Sequence, residues 1–101
     1  MSDTLTLEES GTGGCEPDPN PWHPKKGAAV TIINNSGMLQ VLSNISPGLL
    51  TPVASERWIV VEKGQEWSGH VGSVKGTYTY NDGLSEGKSK RGVRTGTIDP
   101  T

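Results

Sequence analysis

Short apolar runs that end at turn residues recur along the chain, and helical periodicity is nearly absent. Gly or Pro interrupts almost every window that is long enough for a helix. The strongest run, residues 29–34, is β-branched and apolar on both faces, as an inner strand should be. Together the runs predict seven strands, at residues 4–8, 29–34, 40–43, 57–62, 65–71, 76–81 and 96–99. Seven short strands at this spacing are typical of an antiparallel β-sandwich.

Aromatic side chains must supply much of the core, because the chain has no Phe. Aromatic residues on a strand face more often belong to the core than to a ligand platform. We therefore expect the following residues in or near one core: Trp22, Ile32, Trp58, Trp67, Tyr78 and Tyr80. Turn-forming residues dominate two segments, a proline-rich loop at 11–24 and a basic loop at 82–95. The sequence thus predicts a single domain over residues 1–101.

Composition narrows the classes of function. The 101 residues carry a net charge of −2, which argues against a general nucleic-acid binder. No run approaches the roughly 18 apolar residues of a membrane helix. The single cysteine, Cys15, excludes an intramolecular disulfide and a multi-cysteine metal site. The first residues lack a signal-peptide pattern, so we expect a cytoplasmic protein, or a periplasmic or secreted one if a leader has been removed.

Four segments follow one another in a familiar order. Residues 21–37 contain a KKG turn and a strand that ends in NN-x-G, and residues 61–67 read V-x-x-G-x-x-aromatic. Residues 76–80 read GTYTY, and residues 92–98 end in G-T-I. Spanning roughly residues 4–99, these segments resemble the cupredoxin family, in its plastocyanin-like form. The resemblance implies a Greek-key β-sandwich of seven to eight strands.

The copper ligands of that family are missing from this chain. A blue-copper site needs two imidazoles, one thiolate and a weak axial ligand, usually a thioether. By the resemblance, the first histidine falls at Gln40 and the cysteine at Asn81–Asp82. The second histidine and the methionine fall where Arg91 and Arg94 stand, and residues 80–96 contain no Cys, His or Met. We therefore expect the fold of the family without its redox site or a cofactor.

An alternative keeps copper, bound by a non-standard set of ligands. Apart from Met1, the side chains with a sulfur or imidazole ligand atom are Cys15, His23, Met38 and His70. Each of these residues also has a simpler structural interpretation that does not involve a metal ion. His70 shares a strand face with polar residues and should point to solvent, and Met38 should fill a gap. Cys15 and His23 share one loop but lack a third and fourth ligand.

The basic loop is the feature that most suggests a function. The guanidinium group of arginine forms paired hydrogen bonds with carboxylate or phosphate groups. Loops at one end of a rigid sandwich often carry binding residues.

No catalytic arrangement is apparent, so we do not expect an enzyme. The favoured function is a metal-free module that binds a protein or a small anionic ligand, and the alternative is electron transfer or copper handling. The acidic first 24 residues would complement the basic loop of a second copy in a homo-oligomer. The candidate partner-binding residues are Lys88, Lys90, Arg91, Arg94, Met38 and Gln40.

Overall fold

Residues 3–9, 14–53, 57–81 and 93–101 are described by a computed structural model. Over these ranges the chain is all β. They contain no helix of the length and apolar character needed to cross a membrane. The described ranges form nine strands: β1 Thr4–Glu9, β2 Cys15–Asp18, β3 Ala29–Asn35, β4 Gln40–Leu42, β5 Leu50–Thr51, β6 Ile59–Val61, β7 Glu66–Val71, β8 Gly76–Asn81 and β9 Val93–Ile98.

Five of the strands form one mixed sheet in the order β2-β1-β3-β7-β5. The β1–β3 pairing is parallel, and the other pairings in this sheet are antiparallel. The remaining strands form the antiparallel pairs β4–β6 and β8–β9. A bridge between Ser43 and Thr79 joins these pairs, and Trp22 lies parallel to β9 at Ile98. The second group of strands therefore runs β6-β4-β8-β9, and its buried side chains share one core with the first sheet.

Strand β3 shows how the sequence directs this packing. Val30 and Ile32 are buried, while the alternate residues Thr31 and Ile33 are only half-buried. Side chains on a strand alternate between the two faces, so one face of β3 lines the core and the other is partly open. The β-branched residues suit this central position between β1 and β7.

The aromatic residues divide between the core and the surface. Trp22, Tyr78 and Tyr80 are buried, as expected, and Trp67 packs half-buried against the core. The expectation for Trp58 was wrong, because 38% of this residue is exposed. Ile59 and Val61 of β6 face the core, whereas Val60 and the preceding Trp58 face outward. The remaining core bulk comes from aliphatic residues, including Leu42, Ile45, Leu49 and Leu50.

The proline-rich segment is not a loop throughout. Residues 15–18 of the predicted loop 11–24 form β2, which pairs with β1. Pro17 is tolerated because β2 lies at a sheet edge, where a missing N–H need not break the ladder. The predicted loop 82–95 is also too long, since β9 begins at Val93 and not at residue 96. Residues 82–92 lie outside the described residues. The predicted seven to eight strands missed β2 and the short β5.

Candidate functional site

Several connections meet at the end of the fold where β3 stops. The Asn34 N–H donates to the Gln65 carbonyl at 2.9 Å, and the Gly64 N–H donates to the Asn34 carbonyl at 2.9 Å. These bonds tie the β6–β7 turn to the end of β3. The β3–β4 connection and the last residue of β8 join the same group through side chains. We call this region the apex, comprising residues 34–40, residues 62–65 and Asn81.

A buried amide organises the apex. Asn34 has the same strand parity as Val30 and Ile32, so its side chain points inward, and none of it is exposed. Its Nδ2 donates to the carbonyls of Met38 and Val61, both at 2.8 Å. Its Oδ1 accepts from the Ser36 N–H at 3.0 Å and from the Ser36 hydroxyl at 2.7 Å. These four hydrogen bonds, which we call the Asn34 network, use both donors and the acceptor of the amide and hold the β3–β4 turn against β6.

Gln40 makes a second buried connection, across to β8. Its Oε1 accepts from the Asn81 N–H at 3.0 Å, and its Nε2 donates to the Asn81 carbonyl at 2.9 Å. A further bond, at 3.3 Å, runs from Nε2 to the Ser36 hydroxyl. The side chain therefore pairs with the backbone as a neighbouring strand would. We call these bonds between Gln40 and Asn81 the amide clamp.

The burial of Gln40 corrects its predicted role. It was expected to touch a partner, but none of it is exposed and its amide is engaged within the fold. It holds surface residues in place and does not belong to the surface itself. Neither the Asn34 network nor the amide clamp was foreseen. The signal available was a polar residue at an inward position of an otherwise apolar strand, because such a group must find partners when buried.

The other predicted partner residues are distributed as follows. Met38 is half-buried in the apex, and its neighbour Leu39 is 50% exposed. Arg94 is exposed on β9, in register with Tyr80. The remaining three candidates lie outside the described residues: Lys88, Lys90 and Arg91.

The alternative metal ligands are placed in different environments. Cys15 is buried among hydrophobic residues of the core. His23 is exposed, with Nδ1 at 3.1 Å from the Asp99 carbonyl oxygen. His70 is exposed on β7, so the prediction that it faces solvent is confirmed. In the described part of the chain, no three His, Cys, Asp or Glu side chains are grouped so that they could hold a metal ion.

Tyr78 is an unexpected feature of the core. Its hydroxyl is buried and has no hydrogen-bond partner among the described residues. Burial, followed by the nearby Tyr80 and Cys15 side chains, raises the pKa of this phenol well above its ordinary value. The ring lies over Gly96, its cross-strand neighbour, and a Cβ built there would approach the ring carbon Cε1 to 2.7 Å. Glycine is thus required at position 96 by the packing of the tyrosine.

An acidic surface flanks the edge of the first sheet. Carboxylates of Glu8, Glu9, Glu16 and Asp18 line an open depression together with Pro17. Glu8 and Glu16 stand directly opposite each other in the β1–β2 ladder, where like charges repel. Charge and proline on an edge strand discourage pairing with another chain. This surface is thus explained by protection of the β2 edge.

Comparison of the chain with protein-family models, with curated proteins and with solved structures found no match.

Proposed function

We propose that the chain is a metal-free cupredoxin-like interaction module, built as a Greek-key β-sandwich. The order of the strands supports the proposal. Strands distant in sequence are neighbours in space, with β3 between β1 and β7 and β4 beside β8. Parallel pairing of β1 with β3 requires a chain that crosses between layers. Such connections favour a Greek-key arrangement over a simple meander.

The amide clamp is the observation that carries the functional proposal. The resemblance assigns the first copper-binding histidine to Gln40 and the cysteine to Asn81–Asp82. In this structure Gln40 and Asn81 do meet, through bonds of 2.9 and 3.0 Å. Two positions that are 41 residues apart thus lie together, and this proximity supports the proposal. The contact is between a neutral amide and the backbone.

The residues at this position do not fit a copper ion. An amide nitrogen donates hydrogen bonds and offers no lone pair to a metal. The amide oxygen of Gln40 already accepts from the Asn81 N–H. The side chain is completely buried, so it offers no accessible atom to a metal ion. Soft or imidazole ligands, which a blue-copper site needs, are absent from these positions. We therefore derive no redox step for the apex.

Without a metal site, the apex is a rigid scaffold with exposed residues, and such a surface favours a role in binding. The Asn34 network and the amide clamp fix the backbone of residues 34–40, while Asn35, Gly37 and Leu39 of that segment are exposed. Arg94 adds an exposed cation from β9. Holding a binding loop in one conformation reduces the entropy lost when a ligand binds. The proposed ligand is an acidic protein segment or a small anion, recognised by arginine.

Nuclear magnetic resonance with a glutamate-rich peptide tests the proposal. We expect the peptide to shift the amide signals of Met38, Leu39 and Arg94, and we expect binding to weaken as salt rises. The double variant Arg91→Glu, Arg94→Glu should lose this response. The matched control Lys25→Glu, Lys26→Glu makes the same change in net charge in the turn that precedes β3, at the opposite end from the apex. Equal binding by the two variants, or shifts confined to other surfaces, would contradict the proposal.

A copper titration separates this module from the electron-transfer alternative. Thiolate bound to Cu²⁺ gives intense visible absorption, and we expect none from the wild-type protein, because Cys15 is buried and the apex offers an amide. The Cys15→Ser variant is the matched control. An intense band in the wild-type protein that this variant lacks would overturn the metal-free proposal.

A further inference from the structure

Leu39 lies between two residues whose positions are fixed from inside the fold. The peptide group that joins Met38 to Leu39 presents its carbonyl to Asn34 Nδ2, at 2.8 Å. On the other side, Gln40 is completely buried and held by the amide clamp, and it pairs with Val61 in the β4–β6 ladder. Two separate sets of buried hydrogen bonds therefore fix the backbone before and after Leu39.

The side chain of Leu39 points out of the fold. Side chains alternate along a strand and Gln40 points inward, so Leu39 and Val41 face outward, 50% and 38% exposed. Val60, the direct partner of Val41 in the ladder, is 44% exposed on the same face. We call Leu39, Val41 and Val60 the apolar strip. It begins at the apex and continues along the outer face of β4 and β6.

Charge alone gives the apex little selectivity. Glu62 and Lys63 are exposed neighbours of opposite sign. The Glu9 carboxylate also approaches the apex, since a Cβ built at Gly37 would lie 3.8 Å from its Oε1. An acidic ligand is repelled on that side, so its carboxylates turn towards Arg94, the exposed cation on β9.

Magnitudes decide which contact dominates. An exposed ion pair contributes no more than about fivefold to affinity. Half of the Leu39 side chain remains to be buried, and an apolar contact of that size contributes about tenfold. Because the backbone around Leu39 is already ordered, little entropy is lost when a ligand packs there. The apolar contact at Leu39 is therefore the larger source of affinity.

We propose that the ligand of the apex is an amphipathic segment with an apolar side chain among its acidic residues, and that Leu39 is the anchor on which this apolar side chain packs. The inference rests on the proposed function, because it concerns the same site. It adds the apolar part of the ligand and the residue that selects it. Val41 and Val60 extend the contact along the apolar strip.

Two peptides that differ at one position test the anchor. One is a glutamate-rich peptide with a single central leucine, and the other carries serine at that position. We expect the leucine peptide to bind the wild-type protein about tenfold more tightly in a nuclear magnetic resonance titration. Equal affinities would refute the anchor and leave the proposed function intact. If neither peptide binds, both proposals are overturned.

A matched pair of variants tests the location. Leu39→Ser removes the anchor, whereas Val74→Ser makes a similar change at an exposed valine in the β7–β8 turn, at the opposite end from the apex. We expect Leu39→Ser to bind the two peptides equally, and Val74→Ser to keep the tenfold preference. A preference that persists in Leu39→Ser, or that is lost in both variants, would refute the assignment.

Two measurements on the wild-type protein do not depend on a variant that folds. The leucine methyl groups of the bound peptide should show nuclear Overhauser contacts with the Leu39 methyl groups, and bound peptide without such contacts would overturn the anchor. The backbone order parameter of Leu39 in the unbound protein should be close to about 0.85, the value of a rigid strand. A value below about 0.6 would show that the anchor is not held in place and would overturn the proposal.

Discussion

Replacing Tyr78 with Phe should stabilise the protein, although the same change in a buried tyrosine ordinarily removes a hydrogen bond. The Tyr78 hydroxyl is buried and has no partner among the described residues. The substitution deletes this oxygen and keeps the ring, whose centroid lies 6.1 Å from that of Tyr80. The change therefore isolates the cost of burying one unsatisfied hydroxyl.

The magnitude follows from two opposing effects. An unpaired buried polar group costs about 1–3 kcal/mol, which the Phe variant recovers. A gap the size of a hydroxyl costs a few tenths of a kcal/mol in lost packing. We expect a net gain of about 1 kcal/mol in the free energy of unfolding, or a rise of about 4–8 °C in the melting temperature. Tyr78→Ala removes the ring as well and should cost about 3–5 kcal/mol.

The pH dependence gives a second, independent signature. Burial raises the pKa of Tyr78 in the folded state, whereas the unfolded chain titrates near pH 10. Above about pH 10 the unfolded state therefore binds fewer protons at this residue than the folded state, and stability falls as the pH rises. The Phe variant lacks this contribution. Its advantage over the wild type should grow between pH 8 and pH 10.5.

Urea denaturation monitored by tryptophan fluorescence measures both effects, because Trp22 is fully buried and Trp67 is half-buried. The reasoning would be refuted by a Phe variant less stable than the wild type by more than about 0.5 kcal/mol at pH 8. An advantage that stays constant up to pH 10.5 would contradict the raised pKa. A loss below about 1 kcal/mol for the Ala variant would show that the ring is not packed in the core.

Three further predictions concern packing, the apex and the acidic edge. Gly96→Ala should cost about 1–3 kcal/mol in thermal or urea denaturation, because the added methyl overlaps the neighbouring tyrosine ring; an unchanged midpoint would refute this close approach. Asn34→Ala should lower the free energy of unfolding by about 3 kcal/mol or more, because it leaves buried backbone groups unpaired. The control Asn35→Ala, at the exposed neighbouring residue, should change stability by no more than about 0.5 kcal/mol. Equal losses of stability in the two variants would contradict the Asn34 network. Glu16→Lys should stabilise the protein by about 0.2–1 kcal/mol at low salt, because it converts the repulsion with Glu8 into attraction, and a gain that persists in 1 M salt would show another cause.

Local pattern was sufficient for most of the strands. The β-branched run at residues 29–34 and the alternation within residues 65–71 correctly predicted strands, and the alternation correctly placed His70 towards solvent. Such features depend on the two-residue repeat of a strand, which a short stretch of sequence contains in full. The all-β character was also predicted locally, because Gly or Pro interrupts almost every window that is long enough for a helix.

The errors lie where neighbours in space decide the outcome. Trp58 and Ile59 are both apolar, and only the packing of β6 on β4 determines which of them faces the core. Pro17 argues against a strand locally, yet a sheet edge accepts it because the missing donor has no ladder bond to make.

The sequence by itself determined the strand-forming runs, the absence of copper ligands at the positions that the resemblance assigns to them, and the exposure of residues on polar strand faces. The tertiary structure decided the fate of Gln40. The hydrogen bonds of a side-chain amide can be made equally well to water or to backbone groups. The burial of such a side chain therefore depends on whether a backbone N–H and C=O with matching geometry lie within reach. Those groups belong to Asn81, 41 residues further along the chain. Folding alone brings them to the apex, where a side chain expected at the surface becomes a clamp inside the fold.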